Sequence, residues 1–212
     1  LPYVSRGGYK LAAALDEFGV DPAGRVCADV GACTGGFTDV LLQRGAARVF
    51  ALDVGQGQLD WKLRSDVRVV VMERTNARYV EQLAEPVSLA VIDVSFISLR
   101  NILPAVGRWL AADGDVIPLI KPQFEAGPEL VGKGGIVRDA GLYAEVERRI
   151  RACCAQLGLQ VIGWYDSAIQ GGDGNREFFI QGAEGNVEFL AWLRPGLPAH
   201  PPMVDYIGRL FD

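Results

Sequence analysis

The sequence predicts a doubly wound α/β fold whose mostly parallel sheet ends in an antiparallel hairpin. Two observations carry that expectation. First, five short runs rich in β-branched and aliphatic residues, 25–30, 48–53, 67–72, 87–93 and 115–120, alternate with stretches of helical pattern. Near-continuous apolar strands separated by helices are covered on both faces, which is how parallel sheets read. Second, the pattern changes after the fifth run, where a helix is followed by two strand-like runs joined by a link too short for a parallel crossover.

Taken in order, Leu11, Leu15 and Phe18 share one helical face and predict a helix over 10–18. The strand over 25–30 runs into a glycine-rich turn, Gly31-Ala32-Cys33-Thr34-Gly35-Gly36-Phe37, with a helix starting near Gly36. The next strands end in Asp53, in Glu73-Arg74-Thr75-Asn76, in Asp93 and at Lys121. A glycine-rich loop over 127–135 precedes a helix at 140–157, for which Asp139 is a fitting N-cap. The runs 160–165 and 176–181, joined by Gln170-Gly171-Gly172-Asp173-Gly174, form the expected hairpin. Beyond the main domain, 1–185, the residues Trp192, Pro195, Pro198, Pro201 and Pro202 predict a short helix and an extended tail over 186–212.

Composition narrows the function. With 212 residues, half of them hydrophobic, the chain can bury an ordinary core without staples. Cys27, Cys33, Cys153 and Cys154 show no C-x-x-C spacing and His200 is the single histidine, so no metal site is expected. With no secretory signal and no apolar run long enough to span a bilayer, the chain is expected to be cytoplasmic, with no membrane partner. The 21 Lys and Arg against 26 Asp and Glu leave a net charge of −5, the wrong sign for holding nucleic acid by bulk electrostatics. Any RNA affinity is therefore local or imported. The start at Leu1, running straight into charged residues, suggests a fragment without its amino-terminal part.

The glycine turn lets a backbone approach a ligand without interference from Cβ atoms. Position 33, where a dinucleotide fingerprint has glycine, is Cys, and no lysine follows the turn as in a P-loop. A nucleoside without phosphates fits better. S-adenosylmethionine carries a cationic sulfonium and an ammonium, so Asp29 at the strand tip suits it, together with Gly31, Thr34, Gly35, Gly36 and Phe37. Asp53 follows the turn by about 20 residues, the spacing at which an acid takes ribose hydroxyls; Val54 lies beside it, and Thr75 and Asn76 stand where a polar side chain can read adenine. The alternative for Asp29 and Asp53 is that each caps a strand-to-helix turn. Acids at two successive strand ends favour a site.

Four charged segments remain, Ser5-Arg6-Gly7-Gly8-Tyr9-Lys10-Leu11, Ile92-Asp93-Val94-Ser95-Phe96-Ile97-Ser98-Leu99, Lys121-Pro122-Gln123-Phe124-Glu125 and Asn175-Arg176-Glu177. Lys10, Asp93, Lys121 and Glu177 resemble the Lys-Asp-Lys-Glu tetrad of FtsJ-type ribose 2′-O-methyltransferases, which are class I, Rossmann-like enzymes dependent on S-adenosylmethionine. With Asp29-Val30-Gly31, Thr34-Gly35-Gly36-Phe37-Thr38 and Glu73-Arg74-Thr75-Asn76-Ala77-Arg78, these strings are similar to the TlyA family of haemolysin-A-like rRNA methyltransferases. The resemblance covers positions 3 to about 182, and Cys33 departs from it where the family's turn has Ser. It implies methylation of cytidine ribose in ribosomal RNA, ribosomal RNA or ribosomal subunits as partners, and an amino-terminal S4-type RNA-binding domain outside these residues.

The chemistry suits those residues. A ribose hydroxyl must lose its proton as the methyl arrives, which calls for a base and rigid positioning. Lys121 is assigned to deprotonating or orienting the hydroxyl, Asp93 to holding Lys121 near the sulfonium, and Lys10 and Glu177 to fixing the ribose. Arg6, Lys133 and Arg176 are candidate RNA contacts, Lys133 in a loop that could serve as a lid. Any one of these charges alone reads as a surface residue or a salt bridge. A methyltransferase of small molecules or proteins is the competing reading, though Lys10 and Glu177 have no general purpose there. A membrane-active haemolysin fits worst, for want of an amphipathic or spanning segment.

Overall fold

The computed structural model describes residues 2–127, 130, 137, 141–166 and 189–196. The strands are β1 Val26–Val30, β2 Arg48–Leu52, β3 Val69–Met72, β4 Val87–Ile92, β5 Leu110–Ile120, β6 Leu159–Asp166 and β7 Phe189–Pro195. Between them lie the helices α1 Gly7–Phe18, α2 Gly36–Gln43, α3 Trp61–Arg64, α4 Leu103–Trp109, α5 Pro122–Glu125 and α6 Gly141–Gln156. They build one seven-stranded sheet in the order β3-β2-β1-β4-β5-β7-β6. β1 pairs in parallel with both β2 and β4, and β4 with β5, whereas β7 is antiparallel to β5 and β6. Strand order reverses between β1 and β4, and in such sheets the crevice outside the carboxyl ends at that switch takes the ligand.

Both faces of the sheet are covered, as its apolar strands require. Along β4, Leu89 and Val91 join Leu11, Leu15, Leu41 and Leu63 on the side of α1 to α3, while Ala90 and Ile92 join Leu103, Val106 and Ile150 on the side of α4 and α6. That alternation is the period of two of a strand read against two helix layers. Each Leu, Val or Ile among them, buried in full, contributes about 1.5–3 kcal/mol.

The edge of the sheet opposite the crevice is tied by charge. Asp115 of β5 is 2% exposed and accepts from Arg194 Nε at 2.6 Å and Trp192 Nε1 at 2.7 Å on one oxygen, while Arg25 lies 2.8 Å from the other. Arg25 also donates to Ser88 through Nε, at 3.3 Å to Oγ, and through its terminal nitrogen to the Ser88 carbonyl. One carboxylate thus links the start of β1, β4, β5 and β7.

Three expectations need correction. The predicted tail over 186–212 contributes a strand, β7, whose Leu190, Ala191 and Leu193 are fully buried between β5 and β6. The surrounding prolines and glycines hid a run of only seven residues. β5 begins at Leu110, not at 115, because Ala111-Ala112-Asp113-Gly114 reads as a turn yet continues the strand across a register shift beside Val87 and Leu89. α1 begins at Gly7, ahead of the predicted start, with two glycines of poor helix propensity in its first turn, the second of which, Gly8, has Tyr3 too close for any side chain. The predicted strand over 176–181 and Asp139 lie outside the described residues.

Candidate active site

The crevice is framed by the turn after β1. Gly31 donates to the Leu52 carbonyl at 2.8 Å, and Asp93 donates to the Val30 carbonyl at 2.9 Å, so the ends of β2, β1 and β4 are laced together. Gly31 has φ +87°, and a methyl group there would overlap the Asp93 carbonyl oxygen. Only glycine lets the turn pass this close to β4. Gly36 meets a second close approach, from Ser5 Oγ and the Gly8 backbone, which seats the start of α1 on the start of α2.

The acids of the turn take different positions. Asp29 is fully buried, its Oδ2 accepting from the Thr38 N–H at 2.8 Å and the Thr38 hydroxyl at 2.7 Å. Its other oxygen is buried with no hydrogen-bond partner among the described residues. Burial pushes the Asp29 carboxyl up to about 7, with the Thr38 hydrogen bonds opposing and the charges of Asp93 and Asp53 adding to the rise. Asp29 therefore braces α2 from beneath the turn and presents no surface to a ligand. Asp53, half-buried, accepts from the Cys33 N–H at 2.8 Å and the Gly55 N–H at 2.7 Å. A narrow pocket opens beside it, lined by Ala32, Cys33, Gln58, Leu59 and Glu73.

The other predicted cofactor residues divide in the same way. Val54 is 69% exposed next to Asp53 and Thr34 is exposed, whereas Gly35, Gly36 and Phe37 are buried. Thr75 donates to the Glu73 carbonyl, and Asn76 is spent on capping the following turn through Arg78 N–H.

At the ends of β4 and β5 the charged residues meet. Lys121 Nζ lies 2.6 Å from Asp93 Oδ1, an ion pair of charges in contact rather than an aligned hydrogen bond, with Lys121 12% and Asp93 26% exposed. The ammonium also donates to Ser95 Oγ at 3.0 Å. Asp93 Oδ2 lies 4.0 Å from where a Cβ on Gly7 would be, so the first turn of α1 faces the pair; half-buried Lys10 stands one helical turn on, and Arg6 is exposed ahead of it. Glu177, Arg176 and Lys133 lie outside the described residues.

Two contributors were not read as site residues from the sequence. Ser95 stands two residues past Asp93, and on a chain leaving a strand end that places it back towards the neighbouring strand's end. Phe96 follows, 91% exposed with φ +64°, its ring centroid 5.0 Å from that of Phe124. An exposed aromatic in a left-handed backbone is a marked position, but the signal is geometric and absent from the sequence string. Among the described residues no cluster of three metal-ligating side chains occurs, and no helix is long and apolar enough to cross a membrane.

Residues 3–184 match the family of FtsJ-like methyltransferases. Over 180 residues, 84% of this chain and 67% of the relative, the sequence is 50% identical to the 16S/23S rRNA (cytidine-2′-O)-methyltransferase TlyA of Mycobacterium tuberculosis. It is 43% identical to Hemolysin A of Brachyspira hyodysenteriae over 181 residues, 84% of this chain and 75% of that protein. A solved protein of Streptococcus thermophilus named as a hemolysin superimposes with a TM-score of 0.83 at 47% identity, covering 92% of this chain and 68% of that one. The chain thus spans about two thirds of the length of the TlyA relative.

Proposed function

The chain belongs to the FtsJ-like methyltransferase family, and from that premise we propose that it transfers the methyl group of S-adenosylmethionine to a ribose 2′-hydroxyl of ribosomal RNA, on cytidine. The observation that carries this reading is the Lys121–Asp93 ion pair at the carboxyl ends of adjacent parallel strands, beside the Gly31 turn. A hydroxyl nucleophile needs a base where the methyl arrives, and a partly buried lysine at that place can supply one; Lys10 and Glu177 are what a small-molecule methyltransferase has no general need for.

The residues fit the cofactor. Asp29, Asp53 and Asp93 gather round one turn closely enough for the charges of the latter two to push the first carboxyl up, so a cationic ligand relieves their repulsion. Asp53 and Val54 would hold the nucleoside, with the turn from Gly31 to Gly35 against it. Bound S-adenosylmethionine supplies an electrophilic methyl group.

Everything else falls to the chain. Lys121, in its neutral form, takes the proton of the 2′-hydroxyl, and Asp93 then stabilises the ammonium so formed. Ser95 fixes the direction of Nζ by accepting one of its hydrogens. Lys10 and Glu177 orient the ribose, and the exposed Phe96 ring offers a face on which a splayed base stacks. Arg6, Lys133 and Arg176 serve as phosphate contacts, which matter in a chain of net charge −5.

Mass-spectrometric mapping of ribose methylation on rRNA, after incubation with the full-length protein and S-adenosylmethionine, tests the reading. A new 2′-O-methylcytidine is expected. Methyl transfer to a protein or small molecule with rRNA left unmodified would refute it. The cofactor placement is tested separately by Asp53→Ala, for which calorimetry should show S-adenosylmethionine binding weakened about tenfold or more, since hydrogen bonds to a charged group are worth about 1.5–3 kcal/mol. Unchanged affinity in a folded variant would move the cofactor elsewhere.

A further inference from the structure

The turn that follows Lys121 carries a buried acid with no part in the chemistry above. Glu125, the last residue of α5, is 3% exposed. Its Oε2 accepts from the Ser98 hydroxyl at 2.6 Å and its Oε1 from the Leu99 N–H at 2.7 Å. Burial pushes this carboxyl above its usual range, with the Ser98 and Leu99 hydrogen bonds pulling it back. An acid in such a place is costly unless both oxygens are used, and both are.

Its two donors sit at the far end of the loop that leaves β4 at Asp93. Ser98 is also the N-cap of the short 3₁₀ turn Leu99–Asn101, accepting from the Arg100 N–H at 3.2 Å. Between the two ends lie Ser95, in contact with Lys121, and Phe96, whose left-handed backbone is strained for an aromatic residue and must be held by its surroundings. Phe124, next to Glu125, packs on that same Phe96. The segment 121–125 therefore touches the loop 93–99 at three successive levels, Lys121 on Asp93 and Ser95, Phe124 on Phe96, and Glu125 on Ser98 and Leu99.

We propose that Glu125 is a positioning residue for methyl transfer, which by gripping Ser98 and Leu99 holds the Asp93–Leu99 loop so that Ser95 and Phe96 stay in register with Lys121. The proposal rests on the reading of Lys121 as proton acceptor. Its action is indirect, through the loop, and so it should alter turnover and leave the cofactor pocket beside Asp53 untouched. A glutamine has the same shape but only one acceptor oxygen, so Glu125→Gln turns an NH₂ group towards one of the two donors and releases one end of the grip.

The test is a double-mutant cycle in the full-length protein, with single-turnover rates on rRNA at saturating cofactor and calorimetric affinity for S-adenosylmethionine. Glu125→Gln and Ser95→Ala are each expected to slow transfer about tenfold with cofactor affinity unchanged. The double variant should be slowed about tenfold as well and not a hundredfold, because residues that act through one element are not additive. Losses that multiply to about a hundredfold, or a wild-type rate for Glu125→Gln, would overturn the proposal. Should Glu125→Gln fail to fold, Ser98→Ala, which removes one donor from a partly exposed position, takes its place in the cycle with the same two readings. Turnover retained in Lys121→Ala would instead sink the underlying reading, which separates the two failures.

Discussion

Replacing Lys121 by alanine should abolish methyl transfer, with a fall of about a thousandfold or more in single-turnover rate, while S-adenosylmethionine binds as before. General-base contributions of about 10²–10⁴ set that scale. The split follows from geometry, since Lys121 touches Asp93 and Ser95 at the ends of β4 and β5, whereas Asp53 and the pocket beside it lie at the end of β2. Lys121→Arg should fail as well, because a guanidinium stays protonated and cannot take a proton. Comparable rates for wild type and Lys121→Ala would remove the residue from the chemistry.

The second large effect concerns folding. Asp115→Ala should lower the stability of the protein by about 2–4 kcal/mol in denaturant unfolding, below the upper range for a broken buried pair because Arg194 is half-exposed and screened. Burial acts to raise the Asp115 carboxyl, but hydrogen bonds from Arg194, Trp192 and Arg25 outweigh it and leave the carboxyl below its ordinary range. A depressed carboxylate contributes stability that is fully present above the unfolded value, about 3.9, and is lost as pH falls through the folded value. Stability measured from pH 6 downward should therefore stay level for this residue until about pH 4 and then decline, and the decline should be smaller in Asp115→Ala. Equal acid sensitivity in the two proteins would show that Asp115 does not carry it.

The parallel half of this fold was legible in the sequence because each of its strands is a dense apolar run between helical patterns. Val26–Val30, Arg48–Leu52 and Val87–Ile92 fall within a residue of their predicted limits. At the antiparallel end, β6 lies within a residue of the expected 160–165 and its antiparallel pairing was foreseen, but β7 was not, since its seven residues are set among prolines and pattern carries no memory of a distant partner. At the site, Asp93 and Lys121 were legible as charges closing buried strands, and the structure brings them together. Asp29 was read as a ligand contact and turns out to lie beneath the turn, because an acid at a strand tip can reach either a ligand or the helix that follows, and only Thr38 decides which. Ser95 and Glu125 escaped for a related reason: a serine and a glutamate become significant only when two segments fold against each other.

The position of β7 also bears on how the chain reaches its native state. Among the described residues the last strand in sequence is not the last in space, since it enters between β5 and β6, and its contacts with Asp115 join residues 77 and 79 positions apart. Among the described residues, β5 has an open edge and β6 has no strand to pair with until Phe189–Pro195 arrives. Long-range pairings of this kind form slowly, since the loop must close before any contact rewards it. If that closure lags, one flank of the sheet is left exposing backbone to any extended peptide.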